Sequence, residues 1–212
     1  SKASAAALAF DERNRGAKHA ETANSAAHLA DLYDAIGDFA RAVRLRVRAL
    51  AIYEEMQGPD HALTREALVG LSHTYTLMGE FALAEPIARR ALLLSEKNNG
   101  RDHPFTAKSA GQLGEILLLK GDPEQALVLF RQALEANERS FGKKNPSVAA
   151  LLGQIAAVFI DQGKYEMALP LLEQAHSIYT KVYGVAHIRT LNYAHGLGML
   201  QAYRGQSEVA LK

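Results

Sequence analysis

The chain is predicted to be all-α, a stack of antiparallel helix pairs. Three observations carry that reading: a repeat of 42 residues, apolar residues at three- and four-residue spacing inside each repeat, and no stretch with the alternation of a strand. The repeat shows in two glycine ladders, Gly16, Gly58, Gly100, Gly142 and Gly184, and Gly37, Gly79, Gly121, Gly163 and Gly205. Alanine keeps the same step at Ala42, Ala84, Ala126, Ala168 and Ala210 and again at Ala49, Ala91, Ala133 and Ala175. Leu29, Leu71, Leu113, Ile155 and Leu197 form an apolar series.

In chain order, residues 1–15 read as the end of a preceding repeat's second helix, because Ala7-Leu8-Ala9-Phe10-Asp11-Glu12 is in register with Ala49-Leu50-Ala51-Ile52-Tyr53-Glu54. Residues 16–57, 58–99, 100–141 and 142–183 are full repeats, and 184–212 is a partial one in which Glu208 to Leu211 begins a second helix. Each first helix runs like Ala26, Leu29, Ala30, Leu32, Tyr33, Ile36 and stops at a glycine, where a left-handed residue closes a helix without a Cβ clash. The second helix resumes after about three residues, a break that allows only an antiparallel hairpin. Repeats join through turns such as Gly58-Pro59-Asp60-His61 and Gly142-Lys143-Lys144-Asn145-Pro146, which combine a helix stop with capping side chains. Small residues at Ala30, Ser72, Gly114, Ala156 and Gly198 face the alanine series and let paired helix axes approach closely, with Tyr33, Tyr75, Leu117 and Phe159 filling the remaining space. A lone hairpin cannot bury its apolar faces, so each repeat depends on its neighbours, and no domain boundary is expected within the array.

Composition narrows the function. Of 212 residues 48% are hydrophobic and 22% charged, enough for a sizeable core. The absence of cysteine excludes disulfides and Cys-ligated metals, and 24 basic against 23 acidic residues give no field for nucleic acid. No apolar run reaches the roughly 20 residues of a membrane span, and the Ala-rich start lacks the features of a secretory signal, so a cytoplasmic location is expected. The metalloprotease, phosphate-loop, dinucleotide and nucleophile-elbow motifs are all absent, and Ser72 beside His73 occupies the small packing position and not a catalytic one. No enzyme activity, cofactor, metal, nucleic-acid or membrane partner is expected.

The small residue, turn glycine, aromatic (Phe39, Phe81, Tyr165) and Ala-Leu at these offsets resemble the tetratricopeptide repeat in its lengthened, kinesin-light-chain-like form. The turn Gly100-Arg101-Asp102-His103-Pro104, followed by Thr106, and the segment Ala84-Glu85-Pro86 carry the sub-type. The resemblance implies a right-handed superhelical solenoid whose concave wall, formed by the first helices, binds an extended peptide or a helix of a partner protein. It places Asn24, His28, Asp31, Glu66, Gly70, His73, Lys108, Gln112, Glu115, Ala150, Gln154, Ala157, Asn192, Gly196 and Met199 on that wall. The partner-binding groove is assigned to Asn24, His28, Asp31, Glu66, His73, Lys108, Gln112, Glu115, Gln154 and Asn192. A clamp for an acidic chain terminus is disfavoured, because Asp31, Glu66 and Glu115 would repel it. At the position of the family's asparagine ladder stand His28, Gly70, Gln112, Gln154 and Gly196, and only the glutamines keep amide chemistry. The expected function is therefore a non-catalytic interaction scaffold. The alternative is a regulatory or self-assembly segment of a larger protein, with self-association through an open C-terminal end.

Three residue types have two readings each. Gly70, Gly111, Gly153 and Gly196 sit mid-helix, at about 1 kcal/mol each against alanine, either because a neighbour needs a bare backbone or because a bound peptide does. His19, His61, His103 and His187 recur at one turn position, which suits capping and does not gather ligands around one ion. Arg41, Arg44, Arg46 and Arg48 form a basic run; Arg41, Arg44 and Arg48 share a face and are expected to pair with Asp34 and Asp38, an anionic partner being the alternative.

Overall fold

The computed structural model describes residues 2–210, with the side chains of residues up to 202; Ser1, Leu211 and Lys212, at the two ends of the repeat register, lie outside the described residues. The described chain forms α1 (Lys2–Arg15), α2 (Ala20–Ala35), α3 (Phe39–Gln57), α4 (Ala62–Leu77), α5 (Phe81–Asn99), α6 (Pro104–Leu119), α7 (Pro123–Phe141), α8 (Pro146–Asp161), α9 (Tyr165–Tyr183) and α10 (Ile188–Ala210). It falls into two compact units, Ser1–Gly100 and Arg101–Lys212. In the first, α2 pairs with α3 and α4 with α5, α1 packs on α2, and α2 lies beside α4; in the second, α6 pairs with α7 and α8 with α9, and α10 packs on α9.

The glycine ladders end helices as the spacing predicts. At Gly37 the backbone turns to φ 78°, and the following amide, that of Asp38, donates to the carbonyl of Tyr33 (2.9 Å), closing a turn three residues long. The next helix starts where the Asp38 carboxylate accepts from the Arg41 amide (3.2 Å), as Asp122 does from Gln125 (3.1 Å). First helices are capped by the histidine series: Nδ1 of His19, His61, His103 and His187 accepts from the amide two residues on, at 3.2–3.3 Å. In the repeat where asparagine replaces histidine, Asn145 Oδ1 does the same for Ser147 (2.9 Å).

The cores follow the small-residue series. Ala42, Ala84, Ala126 and Ala168 are fully buried, as are Ala30, Ser72 and Ala156 against them. Around these, Leu8, Leu29, Ile52 and Tyr53 pack in the first unit, and Val148, Leu152, Ile178 and Tyr179 in the second.

One expected break is not made. α10 runs through Gly205 to Ala210 as a single helix, in place of a turn followed by a new helix. The four earlier turns are followed by Phe39, Phe81, Pro123 and Tyr165, an aromatic or proline opening the second helix, whereas Ser207 stands there in the last repeat. Without that anchor the helical hydrogen bonds simply continue. Val185, Ile188, Leu191 and Met199 leave an apolar surface around the start and middle of α10, between 46% and 70% exposed.

Candidate functional site

A cleft in the second unit lies between α6 and α8. Lys108, Gly111, Gln112 and Glu115 line it from α6, Ala150, Leu151 and Gln154 from α8, and Asn137 and Phe141 from α7, around a space of about 380 Å³. Residues 108, 112 and 115 share one helix face because they are separated by three and four positions. The floor is apolar and the rim carries both charge signs. Nε2 of Gln112 is buried and has no hydrogen-bond partner among the described residues. An unpaired buried donor costs free energy, which an arriving acceptor recovers. Above it, Gly111 leaves the backbone bare with room to spare: an added Cβ would meet only Leu151 Cδ2, at an ordinary 3.7 Å.

Not all the sequence-assigned groove residues gather here. Four of them, Lys108, Gln112, Glu115 and Gln154, line this one cleft. Asp31 and His73 line a second cleft, in the first unit, together with Asp34 and Arg46. Asn192 lines a third, with Gly153, Ala157, Tyr193 and Gly196, between α8 and α10. Asn24, His28 and Glu66 are in none of these three. Asn24 is turned to structural use, its Oδ1 accepting from the Tyr53 hydroxyl (2.9 Å). Burial of that phenol, with the Glu66 and Glu21 carboxylates nearby, pushes its pKa up to about 12. His28 sits exposed, 3.9 Å from Asp31.

The mid-helix glycines divide. At Gly70 a Cβ would run into the Arg46 guanidinium, and at Gly153 into the Tyr193 ring and hydroxyl, so these two are bare for packing; Gly111 and Gly196 are not. The Tyr193 phenol donates to the Ala149 carbonyl (3.3 Å), and its pKa is pushed up to about 12, first by burial and then by repulsion from the like-charged form of the Tyr179 phenol. A binding role tested at Gly153 would therefore confuse ligand contact with displaced tyrosine.

The basic run resolves differently from its sequence pattern. Arg41 pairs with Asp38 (3.2 Å) and lies over the Tyr33 ring, and Arg48 reaches Glu12 on α1 (2.5 Å). Asp34, however, pairs with Arg46 (2.6 Å), the member of the run that points inward. Arg46 Nη2 also donates to Asp31 (2.7 Å), and Nε donates to the Thr74 hydroxyl (2.7 Å). Charge-run reasoning misses this network. The signal was present in the repeat register, since Arg46 stands at the position of Ala88, Phe130 and Leu172, all buried.

No group of three metal-ligating side chains occurs among the described residues, and none of the described helices is long and apolar enough to cross a membrane. Helix pairs joined by three-residue turns, with clefts between successive first helices, define a helical-repeat protein. The sequence profile of the tetratricopeptide repeat matches residues 37–97, 63–139 and 147–212, and the chain belongs to the tetratricopeptide repeat family. Its structure is similar to that of the nearly identical TPR-like repeats of a kinesin-light-chain-like protein from Podosopora anserina, with TM-score 0.75, 23% identity, and coverage of 91% of this chain and 92% of that one. A second crystal structure of those repeats, carrying a glutamine-to-methionine change, gives TM-score 0.74 at 23% identity, with 89% of each chain covered. BtubC (BKLC) from P. vanneervenii gives TM-score 0.80 at 20% identity, covering 96% of this chain and 82% of that one. At such identities the likeness establishes the fold, that of kinesin-light-chain-like repeats. No protein of curated function matches the chain. Repeats of this family typically serve as non-catalytic scaffolds and generally bind protein partners.

Proposed function

We propose that the chain is a non-catalytic protein-interaction scaffold whose α6–α8 cleft holds an extended segment of a partner protein. The observation that carries this is the buried, unpartnered Nε2 of Gln112, set in a cleft with apolar walls and Gln154 opposite. A glutamine side chain donates and accepts at once, which suits the alternating N–H and C=O groups of an extended backbone. The bare backbone at Gly111 lets such a strand approach closely. Lys108 and Glu115 on the rim then select among sequences by charge.

Affinity capture with the intact chain against a Gln112→Ala, Gln154→Ala double variant tests this, with helicity checked by circular dichroism. The expected result is a partner retained by the first and lost from the second. Equal retention by both would move the binding surface elsewhere.

A second reading, self-association, is supported by the exposed apolar residues Ile188, Leu191 and Met199 of α10. It requires an apparent mass that rises with concentration in sedimentation equilibrium; a concentration-independent monomer mass ends it.

A further inference from the structure

Arg46, Asp34 and Thr74 form a polar cluster within the apolar interior of the first unit. In the repeat register Arg46 stands where Phe130 and Leu172 stand, Asp34 where Leu118 and Ile160 stand, and Thr74 where Ile116 and Val158 stand. Replacing apolar groups by an ion pair at buried positions adds little net stability, so the cluster calls for another explanation. Its bonding is specific. The Thr74 hydroxyl accepts from Arg46 Nε and lies 3.0 Å from Asp34 Oδ2, to which it donates. Arg46 Nη2 joins Asp34 to Asp31, and Nη1 lies over the bare backbone of Gly70.

What remains unsatisfied is negative. The Asp34 side chain is 7% exposed, and its Oδ1 is buried with no partner. Asp31, 61% exposed, overhangs the same cleft, a space of about 410 Å³. One guanidinium serves two carboxylates there and leaves Asp34 Oδ1 without a donor, so the cleft keeps an unpaired acceptor and a net negative charge. The remaining wall includes Ala35 and Leu77, apolar surface that a bare metal ion would not use but that the methylene stem of a long cationic side chain would cover.

We propose that the cleft of Asp31, Asp34 and His73 takes a lysine or arginine side chain of a peptide bound by this chain. The proposal rests on the reading of the protein as a peptide-binding scaffold, and it adds a charge preference to it. The incoming cation would balance the one negative charge that Arg46, shared between Asp31 and Asp34, leaves over. The protein's net charge of +1 supplies no general attraction for basic peptides, so a preference for them must come from a local site.

Three fluorescein-labelled, end-blocked decapeptides, alternating alanine with lysine, glutamine or glutamate, test this by fluorescence anisotropy at low salt. Variants Asp31→Asn and Asp31→Lys act at the exposed carboxylate and leave the Arg46–Asp34 pair in place; Glu124→Gln, an exposed charge on α7, controls for net charge. The expected result is that the lysine peptide binds about ten-fold tighter than the glutamate peptide. Asp31→Asn should weaken it several-fold, Asp31→Lys should abolish it, and Glu124→Gln should change nothing. Equal binding of the three peptides, or a lysine-peptide affinity indifferent to both Asp31 variants, overturns the proposal. If all three peptides are lost from the Gln112→Ala, Gln154→Ala variant while Asp31→Asn changes none, the scaffold reading stands and the cationic pocket falls. The reverse pattern keeps the pocket and overturns the α6–α8 reading, and no binding of any peptide overturns both.

Discussion

Arg46→Ala should lower the unfolding free energy by about 3–5 kcal/mol, read by urea denaturation, because it leaves the Asp34 carboxylate buried without its cation. The side chains of Arg46 and Asp34 are 8% and 7% exposed, so the Asp34 carboxylate left behind is poorly hydrated. The test that separates a charge effect from a packing effect is the double variant Arg46→Leu, Asp34→Leu. It copies the chemistry of Leu172 with Ile160 and of Phe130 with Leu118 at the same repeat positions, and it should recover most of the loss or exceed the parent. If the double variant is as unstable as Arg46→Ala, the pair is not the reason the single change is costly, and the repeat-register argument fails. Recovery would also show that the network is not needed for folding, which is what a cluster retained for binding requires.

A loss of similar size, about 3–5 kcal/mol, is expected for Phe130→Ala. The ring is fully buried and faces Gly114, where an added Cβ would stand 2.7 Å from Cε1, closer than real contacts allow. Glycine and phenylalanine here are one packing unit, large against small. Gly114→Ala alone should therefore cost about 1–3 kcal/mol from overpacking, although alanine is the better helix former. Combining Gly114→Ala with Phe130→Leu reproduces the Ala156 and Leu172 pairing of the next repeat and should restore most of the stability. Additive losses in the double variant, measured by the same denaturation, would contradict this account of the core.

The helices, their turns and the alanine interior were legible in the sequence because they are periodic. A residue that recurs every 42 positions reveals its role by what it shares with its counterparts, as the histidine caps and the alanine series show. The breaks in the pattern were harder to read. Arg46 looks like one more surface arginine between Arg44 and Arg48, and only its register position places it inside. Gly153 looks like Gly111, but Tyr193, 40 positions further on, fills the space over one and nothing comparable fills it over the other. Gly205 continues its ladder in sequence without ending its helix, because the residue that would anchor the next helix is a serine. Helix periodicity gathered Lys108, Gln112 and Glu115 on one face. Their meeting with Gln154, and the burial of Gln112 Nε2 without a partner, depend on how α8 lies against α6.

Site-specific photo-crosslinking tests the central claim most directly, with a benzophenone amino acid placed either at Lys108, in the α6–α8 cleft, or at Val128, 66% exposed on α7 and outside that cleft. The account predicts that a partner captured by the chain crosslinks from position 108 through one contiguous segment, identified by mass spectrometry, and not from position 128. Crosslinking from 128 and none from 108 would contradict it.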